Sequence, residues 1–293
     1  MNNLFKLKII FAYYVTESFT SLHKWHLIML NNMLIDEKEY YNDINIYLLV
    51  DDINNNELIE LTKTNILSYI NNYFYVNFHI VQNNNTYREG LIYKTEIIDK
   101  LDQYDKDTLI LFLHTKGVSN KVNINYYENT LHWISIMYYF NFYNVNMIFE
   151  KFFNEDIITY GALYNYDDSS LVKYKWQYTG SFHWIYPYRL LSYFKVKNIN
   201  YKDIKHKYNS NTYIRHCAES FIGDNIETTY AGFLDDHLFN KTCSHFLYEN
   251  SELPYHNILY ISSDLLSIDH HDDYLKYFNK IYNNFKNEIT DDI

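Results

Sequence analysis

Arginine occurs three times in this 293-residue chain, alanine four times, proline and cysteine twice each, and glycine six times. Each scarcity excludes something. Cys217 and Cys243 have no metal-type spacing, so they predict two buried thiols in a reducing compartment rather than a thiolate metal centre or a disulfide. With no Pro-, Gly- or Ser-rich stretch to act as a linker, the chain reads as one continuous domain over 1–293. Basic residues are also in deficit. The 25 Lys and Arg against 36 Asp and Glu leave a formal charge of −11, which excludes general affinity for nucleic acid or an anionic membrane and leaves room for a local basic pocket. Long apolar runs are missing too. The longest uncharged stretch, His132 to Phe149, would put Asn141, Asn144 and Asn146 into hydrocarbon, so it predicts a buried amphipathic helix and no transmembrane segment. At the N-terminus, Lys6 and Lys8 precede a short apolar run that Glu17 interrupts without a small-residue cleavage site. This predicts a first strand, not a signal peptide, and a cytoplasmic location.

What the chain does have is 47% hydrophobic residues, with aromatics at 19%, which is ample for a packed core. Because glycine is rare, each one marks a backbone that needs positive φ or a close approach. Four of the six sit in polar-aromatic clusters: Arg88-Glu89-Gly90, His114-Thr115-Lys116-Gly117, Thr179-Gly180-Ser181-Phe182-His183-Trp184 and Ala218-Glu219-Ser220-Phe221-Ile222-Gly223.

Strand-like runs at Lys6–Thr16, Ile44–Asp51, Tyr73–Val81 and Thr108–His114 alternate with helical patterns at Ser21–Lys38, Asn56–Ile70 and Arg88–Tyr104. Such alternation predicts right-handed crossovers and an α/β sandwich with a mostly parallel central sheet flanked by helices. Ligands in such sheets sit outside the carboxyl ends of the strands. That rim carries Tyr13 to Glu17, including Thr16, then Asp51-Asp52, Gln82 to Asn85 and the His114–Gly117 cluster. The second half predicts a long aromatic helix over Tyr126–Phe153, strands at Ile157–Tyr164 and Thr179–Trp184, helices near Tyr188–Phe194 and Asn211–Ile222, and a polar-aromatic C-terminal helix from Asp273.

A buried strand that empties into His114, Thr115, Lys116 and Gly117 suits an anion: charge, a hydroxyl and approachable backbone N–H groups. Asp51 fits a base or ribose hydroxyl, and Asp52 fits either that role or a helix cap. Trp176 and the strand Gly180-Ser181-Phe182-His183-Trp184 alternate aromatic and polar groups as a sugar site does, although a core strand has the same look. Asp168 stands in the loop before it. Glu219, with Arg215 four residues earlier, reads as a general base or as a surface ion-pair partner. Asp105-Lys106-Asp107 has the letters of a metal-binding pair but precedes its strand, at the wrong end of the sheet. The Asp269–Asp273 cluster reads as an acidic helix start.

Taken in order, His-Thr-Lys-Gly after its strand, the upstream Glu-Gly, Trp133 in a long helix, Gly-x-Phe-x-Trp and Ala-Glu-x-x-Ile-Gly resemble a group of GT-A-fold glycosyltransferases of bacteria, algae and large DNA viruses, over about residues 5–225. The resemblance carries over Glu89, Gly90, His114, Lys116, Gly117, Gly180, Phe182, Trp184 and Glu219. The family often has Asn and Trp where this chain has Ser181 and His183. It implies a GT-A-like nucleotide-binding sandwich that moves a sugar from a nucleotide-sugar donor to a hydroxyl of a glycan or glycoprotein. Residues 1–120 would form the donor half, 121–250 the acceptor half and 251–293 a helical tail. Donor binding would fall to Tyr13, Thr16, Asp51, Arg88, Glu89, Gly90, Thr115 and Gly117, and catalysis to Glu219, Lys116 and His114. Acceptor or sugar contacts would fall to Trp176, Asp168 and the 180–184 strand. A Mn²⁺ or Mg²⁺ site stays open, with Asp235 and His237 as candidate ligands. A viral source would place the protein in host cytoplasm or virion. A glycan-binding or virion structural protein on the same fold is the alternative.

Overall fold

The computed structural model describes residues 5–36, 38, 43–84, 86–115, 118, 124–142, 145–161, 164–165, 176–178, 181–233 and 268–290. Strands β1 (Lys6–Tyr14), β2 (Asp43–Val50), β3 (Tyr75–Gln82) and β4 (Thr108–His114) alternate with α1 (Ser21–Asp36), α2 (Asn56–Tyr69) and α3 (Glu89–Ile92). Helices α4 (Ile124–Phe142) and α5 (Val145–Asn154) follow, then β5 (Thr159–Gly161), the β6 (Tyr164–Asn165) and β7 (Gln177–Tyr178) pair, and β8 (His183–Ile185). The described chain continues through α6 (Pro187–Val196), α7 (Tyr201–Lys207), α8 (Asn211–Asn225), β9 (Ala231–Phe233) and α9 (Ile268–Thr290).

One sheet unites both halves, in the order β3-β2-β1-β4-β8-β5-β9. β8 alone runs against its neighbours; the other pairings are parallel. This is the α/β sandwich with a mostly parallel sheet that the alternation predicts. β4 is buried along its whole length, as expected of an apolar run covered on both faces. One face packs on α1, α4 and α9, and the other on the α3 region, α6 and α8.

Two expectations need correcting. Residues 88–104 do not form one helix: α3 gives way to a π-turn over Tyr93–Ile98, closed by Asp99 N–H to Lys94 C=O at 2.8 Å, and then a 3₁₀ turn at Leu101–Gln103. The wide turn puts the Glu96 carboxylate inside, where Tyr47 Oη donates to it at 2.8 Å and Lys100 Nζ at 2.7 Å. The helix expected over 126–153 is two helices, and α4 is buried on every side over 131–142 rather than amphipathic. Its Asn141 donates to Met137 O at 2.8 Å and to Phe182 O at 3.3 Å, while its side-chain oxygen is buried without a hydrogen-bond partner.

The tail forms the helix expected of it. Helix α9 docks on α1 and α4 by an aromatic seam: Phe278 stands 5.7 Å from Trp25, 3.7 Å from His132 and 5.6 Å from Tyr282, ring centre to ring centre. Tyr274, Phe278 and Ile281 are buried there. Phe278→Ala is therefore expected to cost about 3–5 kcal/mol, the range for truncating a buried phenylalanine. Urea unfolding checks this, and an unchanged midpoint would show the helix to be dispensable.

Candidate functional site

The chain leaves β1 toward β2 and β3 on one side and returns to β4 on the other, so the carboxyl ends of β1 and β4 form the topological switch point where ligands bind in open α/β sheets. Those ends are tied together. Thr115 N–H donates to Ala12 C=O at 3.0 Å, and Tyr14 N–H donates to Thr115 Oγ1 at 2.8 Å.

Next to the seam lies a polar group built by three strand ends. Asp51, exposed just past β2, accepts from Asn83 Nδ2 at 2.6 Å and from Tyr14 Oη at 3.4 Å. Burial, and then the Asp51 carboxylate, raise the Tyr14 phenol pKa, while the nearby Arg88 guanidinium opposes them. Arg88 is exposed at the start of α3 with a φ of 46°. Asp52 closes a turn on Asn54 N–H, and Asn55 caps α2 instead, so Asp51 alone faces this site.

Sequence reasoning chose Tyr13 where the geometry presents Tyr14. Successive strand residues face opposite sides, so Tyr13 turns into the core; with Thr16, Phe19, His23 and Thr62 it lines a small cleft beside α2. Thr16 Oγ1 donates to Ser18 O. Asn83 lay on the expected rim without a role, and His23 was missed. His23 reaches back from the first turn of α1: its Nδ1 accepts Thr20 N–H at 3.2 Å, which leaves the proton on Nε2 to donate to Tyr14 O at 2.9 Å. A capping pattern with histidine in place of glutamate was the signal available.

The second half of the rim gathers the glycine clusters. Cys217 Sγ donates to Gly90 O at 3.0 Å, which fixes α8 against the Glu89-Gly90 start of α3. Burial, then the Glu89 carboxylate, push the Cys217 thiol well above its ordinary range, so it is inert. Tyr93 Oη bonds His183 Nε2 at 2.9 Å, and the His114 ring lies 5.6 Å from Phe182. His114 is buried, not an open cation, and Thr115 beside it is buried as well. Glu219 is half-buried on α8, in the stretch beside Cys217.

The aromatic strand is corrected by its surroundings. Trp176, Phe182 and Trp184 are core residues: the Trp184 indole N–H donates to Asn141 O at 2.8 Å and that of Trp176 to Ile226 O at 2.9 Å. They hold the rim up and present no face to a sugar. His183 is buried as well. Lys116, Gly117, Asp168, Gly180, Asp235 and His237 lie outside the described residues, as does Cys243. Asp105 and Asp107 pair with Lys6 at 2.8 and 3.5 Å, at the amino end of the sheet as expected. Among the described residues no three side chains of His, Cys, Asp or Glu converge to hold a metal ion, and no helix is long and apolar enough to cross a membrane.

No protein-family model matches the sequence, and neither does any curated protein. Among solved structures, a 4-diphosphocytidyl-2C-methyl-D-erythritol synthase from Anaerococcus prevotii DSM 20548 is similar at 9% identity over 85% of this chain and 97% of that one. Its TM-score is 0.34, too low a likeness to bear on function.

Proposed function

We propose that the chain is a nucleotide-sugar-dependent glycosyltransferase acting on a hydroxyl of a glycan or glycoprotein. The observation that carries this is the Asp51, Asn83, Tyr14 and Arg88 group at the carboxyl ends of β1 to β3, beside the switch point. An acidic residue at the end of the second strand is placed to receive the ribose or base of a nucleotide. The diphosphate then runs toward the β4 end, where Thr115 still has its hydroxyl proton to donate and Lys116, next in the chain, supplies charge.

Glu219 takes the proton of the acceptor hydroxyl. The freed oxygen attacks the anomeric carbon with inversion, the bond from that carbon to the diphosphate oxygen breaks, and the nucleoside diphosphate departs with the electron pair, neutralised by Lys116. Each step is assigned to the chain's own groups.

Two variants test the assignment. Asp51→Ala is expected to weaken nucleotide affinity about tenfold, the loss of one or two hydrogen bonds to a charged group. Glu219→Gln is expected to lower transfer about a hundredfold with donor affinity unchanged. Calorimetry with a panel of nucleotide sugars and mass spectrometry of products read the two effects separately. Full transfer by Glu219→Gln removes Glu219 from the mechanism, and wild-type nucleotide affinity in Asp51→Ala removes the nucleotide from this end of the rim.

A further inference from the structure

The sheet ends on one side at β3. Edge strands in monomers are normally short, bulged, or marked by lysine or proline, because a free row of backbone N–H and C=O groups invites another strand to pair. β3 has none of these defences. It runs eight residues, Tyr75–Gln82, in unbroken register with β2, and no proline or charged residue interrupts it. None of its residues is fully buried, whereas every residue of β4 is.

Apolar side chains flank this edge on both faces of the sheet. Tyr73 and Tyr75 are 82% and 67% exposed, and Ile80, which alternation puts on the α2 side with Val76 and Phe78, is 45% exposed. α2 adds to them. Ile59 and Ile66 face the sheet, and Leu58 and Leu61 share a cleft with Phe19 and His23, so at about 100° per residue Glu60, Lys63 and Leu67 are left on the flank that overhangs β3. Leu67 is half exposed there.

Together these features name the occupant. An added peptide strand would satisfy the edge and leave the α2 flank bare, whereas a second copy of this chain brings a strand and its helix at once. The spacing fits. A crossover helix lies over the groove between the strands it joins, and strands stand about 4.8 Å apart, so pairing β3 with the partner's β3 sets the two α2 axes about 10 Å apart, the distance of packed helices. The charges fit as well. Glu60 and Lys63 pair at 2.7 Å within α2, and an antiparallel partner offers them in reverse order, so each acid meets the partner's base. At a net charge of −11 two copies repel overall, and a neutral strand with a matched acid and base exempts this edge. Tyr73 and Tyr75 alone offer roughly 300 Å² a copy, and with Ile80, Leu67 and the strands themselves the contact reaches the roughly 1,000 Å² total that a specific interface needs.

We infer that the chain forms a two-fold dimer in which β3 pairs antiparallel with the partner's β3 and the two α2 helices pack over the seam, joining two seven-stranded sheets into one. The antiparallel pairing leaves the two carboxyl rims at opposite ends of the joined sheet. The dimer does not depend on the glycosyltransferase reading.

Sedimentation velocity at protein concentrations between about 1 and 100 µM tests it. Wild type should approach twice 35.7 kDa at the upper end and dissociate on dilution. Ile80→Lys sets an ammonium on each side of the seam at an exposed position, and should raise the dissociation constant about a hundredfold while the melting temperature of the dilute protein stays near wild type. Leu67→Lys, on the helix and outside the strand, should raise it about tenfold, and it decides the matter if Ile80→Lys folds poorly. A wild type that stays monomeric across the range overturns the inference. So does a dimer that either lysine variant, folded, leaves intact, because its contact then lies elsewhere. Assembly that continues past the dimer overturns it too, since a two-fold contact closes on itself.

Discussion

Acidification from pH 7.5 to pH 5 is expected to remove about 6 kcal/mol of this protein's stability, in a range where most domains are still near their optimum. Three histidines are buried as neutral rings: burial pushes His23 down to about 4, and His132 and His183 down to about 3. In the unfolded chain each titrates near 6.5. The folded values lie below the unfolded ones, so the stability these rings hold is complete above about pH 6.5 and drains away as the pH falls toward the folded values. Below 6.5 each ring removes up to about 1.4 kcal/mol per pH unit, and three together about 4 kcal/mol per unit. A total stability of about 5–15 kcal/mol is then exhausted within a few pH units. Fluorescence and near-ultraviolet circular dichroism against pH follow the loss. His132→Gln, which can still bond Tyr274 Oη where Nδ1 now does at 2.9 Å, should reduce the pH slope by about a third. A melting temperature that stays flat between pH 7.5 and 5.5 would show that these rings take up protons in the folded state.

The strands of the first half were legible because a strand buried on both faces must be apolar throughout, and the runs at 6–14, 43–50 and 108–114 have no helical period to confuse them. The rim followed from topology. What the sequence hid was decided across space. A sugar platform and a core strand draw on the same residues, and only the cover of α4 over Trp184 and of Ile226 over Trp176 makes these rings core. The π-turn at 93–98 depends on Glu96 finding Tyr47 on a distant strand. Tyr13 and Tyr14 are equal candidates until the pleat assigns their faces. Asn83 gains meaning only from Asp51, 32 positions earlier and 2.6 Å away. Parts of three glycine clusters are drawn together: Cys217, just before Ala218, bonds Gly90, and His183 bonds Tyr93, three residues past Gly90. Gly223 has a different purpose.

Gly223→Ala is expected to destabilise the protein severely. On an open helix face this change would stabilise, because alanine is favoured over glycine in a helix interior by about 1 kcal/mol. Here a Cβ would stand 1.4 Å from Trp176 O and 2.4 Å from its carbonyl carbon, distances that backbone atoms cannot share. The obstacle cannot swing aside, for the Trp176 indole is tethered to Ile226 O at 2.9 Å, at the end of the same helix. To make room, α8 must lift off Trp176, which strips cover from Phe221 and Ile222 and pulls Cys217 from Gly90. Those losses combine overpacking with a broken buried hydrogen bond, mechanisms that carry single substitutions past about 4 kcal/mol. The same displacement moves Glu219, one turn before Gly223 on the helix, so whatever folds should also lose transfer. Chemical denaturation of Gly223→Ala beside wild type measures the first effect, and the sign alone is decisive. A variant as stable as wild type, or more so, would mean that α8 and Trp176 do not meet as described and that Glu219 has no fixed place at the rim.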